Sequence, residues 1–160
     1  MGFTYDDIHR FMEEYFPTYS EYGQDPATAH RMHEFYTPDF VFTGYVGLAE
    51  PTIFAGRDAF LAFDVSHPPS YERLTPEDMT IDERRKTVCV VIKFEFINGD
   101  TGQVEVVERG MSQYQLVLDE KGAIKIKSLL FFPQRLAPGT LSGTEVFLRD
   151  QAAAKQTDRD

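Results

Sequence analysis

Apolar residues at Ile8, Phe11, Met12, Tyr15, Phe16, Tyr19 and Tyr22 keep the three-and-four spacing of an amphipathic helix, which predicts a helix over residues 5–22. Thr4 is placed to cap it, and Asp6 and Asp7 suit its positive end. Pro17 removes one backbone donor and is expected to kink or split it, and Gly23 to end it. Asp25-Pro26 reads as a cap followed by a first-turn proline. A second helix over 26–36 would then turn Ala29, Met32, Phe35 and Tyr36 inward and stop before Pro38. A short strand, Phe40-Val41-Phe42, leads to Gly44 and Gly47, and a third helix starts at Gly56 and breaks at Ser66-His67-Pro68-Pro69-Ser70.

From there the pattern alternates in twos. Residues 78–82 read as a strand. Residues 87–97 read as another, with Val88, Val90, Ile92, Phe94 and Phe96 on one face. Asn98-Gly99-Asp100 turns the chain into a long strand over 103–118, where Gly110 reads as a bulge. Lys121-Gly122 leads to a last strand over 123–132, with Ile124, Ile126, Ser128, Leu130 and Phe132 sharing a face. The opposite face of these strands mixes Cys89, Val91, Ile97, Val107, Met111 and Val117 with Lys93, Glu95, Arg109 and Gln115. A sheet facing only water would be cleaner, so a homodimer through this outer face is expected. The elements make one α+β domain over 1–136, three N-terminal helices on a curved antiparallel or mixed sheet, and a tail over 137–160 that is helical near 144–154 and disordered in its last six residues.

Composition narrows the partners. A net charge of −10, with 16 basic residues scattered and the densest cluster at Arg84-Arg85-Lys86, argues against nucleic acid and against an anionic membrane surface. No apolar run reaches the length of a spanning helix, and the first residues lack the basic and apolar regions of a secretory leader. With Cys89 as the one cysteine, no internal disulfide forms, and a cytoplasmic setting is expected. Fourteen Phe and eight Tyr suit a bulky core or a ring-walled cavity for a small apolar or aromatic ligand.

The order of elements resembles the SnoaL-like branch of the nuclear transport factor two superfamily. The residues that carry it are Phe35-Tyr36-Thr37-Pro38-Asp39-Phe40-Val41-Phe42, Gly56-Arg57-Asp58-Ala59-Phe60 and Gly122-Ala123-Ile124, with Lys93-Phe94-Glu95-Phe96 similar to a ketosteroid isomerase strand. The resemblance implies a cone-shaped, cystatin-like α+β roll whose open end takes a small molecule. It also implies either a cofactor-independent isomerase, cyclase or dehydratase, or a non-catalytic binding or dimerisation domain. Carried over by position, the ketosteroid isomerase base falls on Gly44, its hydrogen-bonding acid on Tyr114, and its tyrosine on Tyr19, with Tyr15 one turn earlier.

Glu108 shares strand parity with Val104, Val106, Tyr114, Leu116 and Leu118. On that apolar face it would be a general acid or base. A bulge at Gly110 would instead turn it to solvent, the commoner fate of a strand glutamate. The expected catalytic set is Tyr19, Tyr114 and Glu108, with Glu108 ahead of His67 or Asp39 as the proton carrier. Tyr15, Phe42, Phe60, Phe94, Ser128 and Leu130 are the expected cavity wall. His30, His33 and Glu34 have ligand-like spacing on a helix but read as a solvated face, so no metal and no organic cofactor is expected.

Overall fold

The computed structural model describes residues 3–46, 50–64 and 69–157. Helix α1 (Tyr5–Gln24) is followed by a 3-10 turn (Pro26–Thr28), the single turn α2 (Ala29–Met32), strands β1 (Tyr36–Gly44) and β2 (Thr52–Ala55), and helix α3 (Arg57–Asp64). Strands β3 (Ser70–Asp82), β4 (Thr87–Asn98), β5 (Val104–Leu118) and β6 (Ile124–Pro133) and helix α4 (Gly143–Thr157) complete the chain. One six-stranded sheet runs β2-β1-β6-β5-β4-β3, with β1 and β6 parallel and every other pair antiparallel. The α+β expectation holds.

Helix α1 packs on the sheet through the stripe its spacing predicts, burying Ile8, Met12, Tyr15, Phe16, Tyr19 and Tyr22. Thr4 caps it, accepting the Asp7 N–H at 3.2 Å. Of the two expected effects of Pro17, splitting does not occur: α1 runs through it to Gln24. Buried apolar residues lie on both sides of the proline, and the buried Thr18 hydroxyl donates to the Glu14 carbonyl at 2.7 Å. Gly23 lies inside the helix, and Asp25 is the cap.

The expected second helix shrinks to one turn because Phe35 and Tyr36 are drawn into the sheet. The Phe35 carbonyl accepts the Ile126 N–H at 2.7 Å, and Tyr36 pairs with Ile126. Pro38 also favours extended backbone before it. Strand β3 begins eight residues earlier than expected. Its polar start and Pro76 do not read as strand, but β3 is an edge strand, and the proline sits at a register break between Pro76 and Asp78.

Two further register findings set the cavity wall. No bulge occurs at Gly110, which pairs with Ile92 on one side and Pro133 on the other. A break falls instead between Gln115 and Leu116 of β5, where Lys127 is the extra residue on β6. That residue flips the parity of the last strand. Leu129 turns inward, Phe131 packs against the core, and Phe132 is exposed, so Ser128 and Leu130 do not share a face with Ile126 in the cavity as expected. A break between Phe96 and Ile97 likewise buries Ile97, which the alternation assigns to the outer face.

The segment expected as a tail packs against the body of the fold. Ser142-Gly143-Thr144-Glu145 forms a capping box: Ser142 N–H donates to Glu145 Oε2 at 2.7 Å, and Glu145 N–H donates to Ser142 Oγ at 3.2 Å. Val146 is fully buried, and Phe147 meets Phe96 edge to face at 5.2 Å. The helix runs through Thr157, so three of the six terminal residues expected to be disordered are helical, and residues 158–160 lie outside the described part.

Gly110 gives a direct test of the register. A Cβ there would meet Phe131 Cε2 at 2.5 Å and the Phe132 carbonyl oxygen at 3.1 Å. Gly110→Ala is expected to destabilise by about 1–3 kcal/mol, as overpacking does; a urea midpoint unchanged from wild type would mean the ring lies elsewhere.

Candidate functional site

Between α1, α3, α4 and the concave face of the sheet lies a cavity of about 360 Å³. Its wall is mostly rings. Phe42, Phe54, Phe60 and Phe63 come from the β1–α3 region, Phe94 and Phe96 from β4, Phe131 from β6 and Phe147 from α4. Exposed Leu148 places the mouth beside α4. Of the expected wall residues, Tyr15, Phe42, Phe60 and Phe94 line it; Ser128 and Leu130 do not.

Three polar groups interrupt the rings. At one end the phenol oxygens of Tyr15 and Tyr36 lie 2.7 Å apart, and Tyr114 bonds through its side chain to both Tyr15 and Ser112, so a run of hydroxyls links α1, β1 and β5. Burial pushes the Tyr114 phenol well above its ordinary pKa, against the smaller opposite pull of Ser112 and Tyr15. The second group is Glu72, which faces the cavity from β3 and accepts the Tyr19 hydroxyl at 3.2 Å.

The third is Glu108. Regular pairing through Gly110 keeps it on the inner face, at 8% exposure, so the solvent-facing reading is corrected. Its Oε1 accepts the Gly143 N–H at the start of α4 at 2.8 Å. The approach is close enough that a Cβ on Gly143 would lie 1.9 Å from the Phe96 ring. Burial raises the Glu108 pKa, Gly143 opposes that, and the charge of Glu145 adds to it.

The expected catalytic trio is therefore not one cluster. Tyr114 stands six residues from Glu108, about 20 Å along an unbroken strand. Tyr19 is nearer, because Glu72, which it bonds, pairs with Phe96, and Glu108 pairs with Phe94, one step along β4. Asp39 is away from the cavity, on the surface, where Lys127 holds its carboxyl below the ordinary range. His67 lies outside the described residues. Glu72 was missed by the sequence reading; its parity with Leu74 would have found it once 70–77 was recognised as strand. At Gly44 a Cβ would meet the Phe42 ring at 2.7 Å, so the ring takes the space of a base there. His30 and His33 are exposed, and among the described residues no three of His, Cys, Asp and Glu converge as a metal site.

No protein-family model matches the chain, and no curated protein matches it. Solved structures do match. ActVI-ORFA of Streptomyces coelicolor superposes with a TM-score of 0.62 at 12% identity, over 81% of this chain and 98% of that one. A ketosteroid isomerase-like protein of Erwinia carotovora gives 0.57 at 15% identity, over 82% and 96%. A candidate SnoaL-like polyketide cyclase of Jannaschia gives 0.55 at 16% identity, over 79% and 86%. At these identities the likeness is one of fold: the chain has the NTF2-like fold, with SnoaL-like and ketosteroid isomerase-like proteins among its neighbours.

The raised pKa of Glu108 has a consequence for stability. A folded-state pKa above the unfolded one favours folding fully below the unfolded value, and that contribution is lost as pH rises through the folded value. Glu108→Gln keeps an oxygen for the Gly143 N–H and removes the titration. Its Tm relative to wild type is expected to rise with pH from the acid side of the ordinary carboxylate range to neutrality; a difference independent of pH would show that Glu108 does not titrate from the cavity.

Proposed function

We propose that this chain is a small-molecule pocket protein of the SnoaL-like type, in which Glu108 moves a proton on a small, mostly apolar, carbonyl-bearing substrate without a cofactor, as an isomerase, cyclase or dehydratase does. The observation that carries this is a carboxylate 8% exposed in the wall of a ring-lined cavity. Burial brings its pKa toward the working range of a general acid or base. Tyr19, which donates to Glu72 in the free protein, turns that proton to the carbonyl as charge develops on it. Tyr114, tied to Tyr15 and Ser112, receives a polar group at the far end. The second reading, binding without catalysis, draws on Gly44, where the family's base position carries no carboxylate.

Exchange of α-protons in heavy water separates the two. Cyclic ketones and phenols that raise the Tm are expected to include ketones whose α-protons exchange faster with the protein present, and Glu108→Gln is expected to slow that exchange by about 10²–10⁴-fold. Tyr114→Phe is expected to weaken these ligands by about 1–3 kcal/mol, beyond the about 1 kcal/mol of folding stability lost with its bonds to Tyr15 and Ser112. Ketones that bind without exchange would favour the non-catalytic reading, and a panel in which nothing binds would end the pocket reading.

We also propose that the chain pairs with a second copy through the outer face of the sheet. Val91 lies beside Met111, Met111 beside Phe132, and Tyr45 stacks on Phe132 at 4.7 Å and 5°, so exposed apolar groups run across three strands. Wild type is expected to sediment as a dimer at micromolar concentration and Met111→Lys as a monomer; a monomeric wild type would refute the contact.

A further inference from the structure

We infer that the substrate is an elongated phenolic ketone lying along β5, with the carbon beside its carbonyl at Glu108 and its hydroxyl at Ser112; this deepens the reading above and rests on it. Glu108, Gly110, Ser112 and Tyr114 alternate onto the buried face of β5, and their pairing with β4 is unbroken from Phe94 to Val88. Glu108 and Ser112 are four residues apart, at most about 13 Å along the strand. Tyr114 stands beyond Ser112, and its phenol bonds back to the Ser112 side chain, so the far polar end of the cavity begins at Ser112. A contact of about 3 Å at each end leaves about 7 Å between the ligand's hydroxyl oxygen and the carbon that gives up a proton. That is the span of a para-hydroxyphenyl group carrying a two-carbon arm.

The middle of this path is aromatic. Gly110 has no side chain there, and the Phe131 ring takes its place. Phe131 of β6 meets Phe94 of β4 edge to face at 5.1 Å, so a flat ring lying over β5 finds rings from the strands on either side. The far end is polar but uncharged. A serine hydroxyl has one donor and two acceptor positions, so buried Ser112 keeps capacity for a ligand beside its bond to Tyr114. Among the described residues of the wall there is no Lys, Arg or His, and the charged ones are carboxylates, so a ligand with an anionic end is disfavoured. A ligand hydroxyl serves Ser112 as donor or acceptor, whereas a plain ketone leaves that buried group to water.

A matched pair of ligands tests this. 4-(4-Hydroxyphenyl)butan-2-one and 4-phenylbutan-2-one share a carbon skeleton and differ by the one hydroxyl. Calorimetry at neutral pH is expected to show the phenolic ketone binding at least about fivefold tighter. Ser112→Ala is expected to shrink that ratio to about twofold or less, chiefly by weakening the phenolic ketone. In heavy water the α-protons of the phenolic ketone are expected to exchange faster with the protein present, a proton passing to Glu108 and a deuteron returning from solvent. Equal affinity for the two ketones would overturn the phenolic assignment and leave the pocket reading in place. A ratio unchanged in Ser112→Ala would overturn the place given to the hydroxyl. Tighter binding without faster exchange would overturn the orientation, with the carbonyl at the far end. Should Ser112→Ala not fold, Tyr114→Phe, which removes the phenol that Ser112 bonds, is expected to lower the ratio likewise, and an unchanged ratio there would count against the proposal in the same way. Failure of both ketones to bind would sink the phenolic assignment together with the reading it rests on.

Discussion

A buried carboxylate set against the first N–H of a helix, Glu108 against Gly143, ties the C-terminal segment to the sheet. Helix α1 covers the concave face beside β3, and α4 covers it beside Glu108 and Phe96. The capping box at Ser142 and Glu145 fixes where α4 begins, so its first N–H groups arrive at the sheet already oriented. A second contact repeats the arrangement with roles exchanged: buried Asp150 of α4 accepts the Ser70 N–H of β3 at 3.3 Å. Between these two attachments Val146 and Phe147 pack inward, and Thr144, Phe147 and Leu148 complete the cavity wall.

Where one periodicity ran unbroken, sequence and structure agree. Helix α1, and strand β4 as far as Phe96, bury the residues their spacing assigns, because each packs one face against a core and no register break falls within that stretch. Strand β6 departs because one extra residue, Lys127, changes what faces inward, and nothing local to the sequence marks it: Lys127 is a strand residue between Ile126 and Ser128, and its insertion follows from pairing with both β5 and β1. Glu108 shows the converse. A glycine two residues away suggested a bulge, yet Gly110 is there because the Phe131 ring presses on the strand, a contact between segments about twenty residues apart.

The site was legible only in part for the same reason. Tyr15, Tyr19 and Tyr114 carry inward parity on their own elements, so each could be placed on the interior. Their partners could not. Tyr15 meets Tyr36 because the second helix gives way to β1, and Tyr19 meets Glu72 because β3 starts at Ser70. Both changes are imposed by long-range strand pairing that outweighs local propensity.

The cavity itself argues that the rings are more than core. A dry void of 360 Å³ would cost about 9 kcal/mol at the slope measured for buried cavities, comparable with the whole stability of a domain. Larger side chains at a few wall positions would remove that cost, and two carboxylates at the wall raise it further. Water in the cavity lowers it, and the polar groups there give water its partners: Glu72 and Tyr19 at one place, Glu108 at another, Ser112 and Tyr114 at the far end. The same groups are what a ligand would use on displacing that water. Rings supply the area it buries, and the separation of Glu108 from Tyr114 along β5 makes the site elongated, with distinct chemistry at its two ends. A ligand that fills only one end leaves the other hydrated, so selectivity along this cavity depends on matching both.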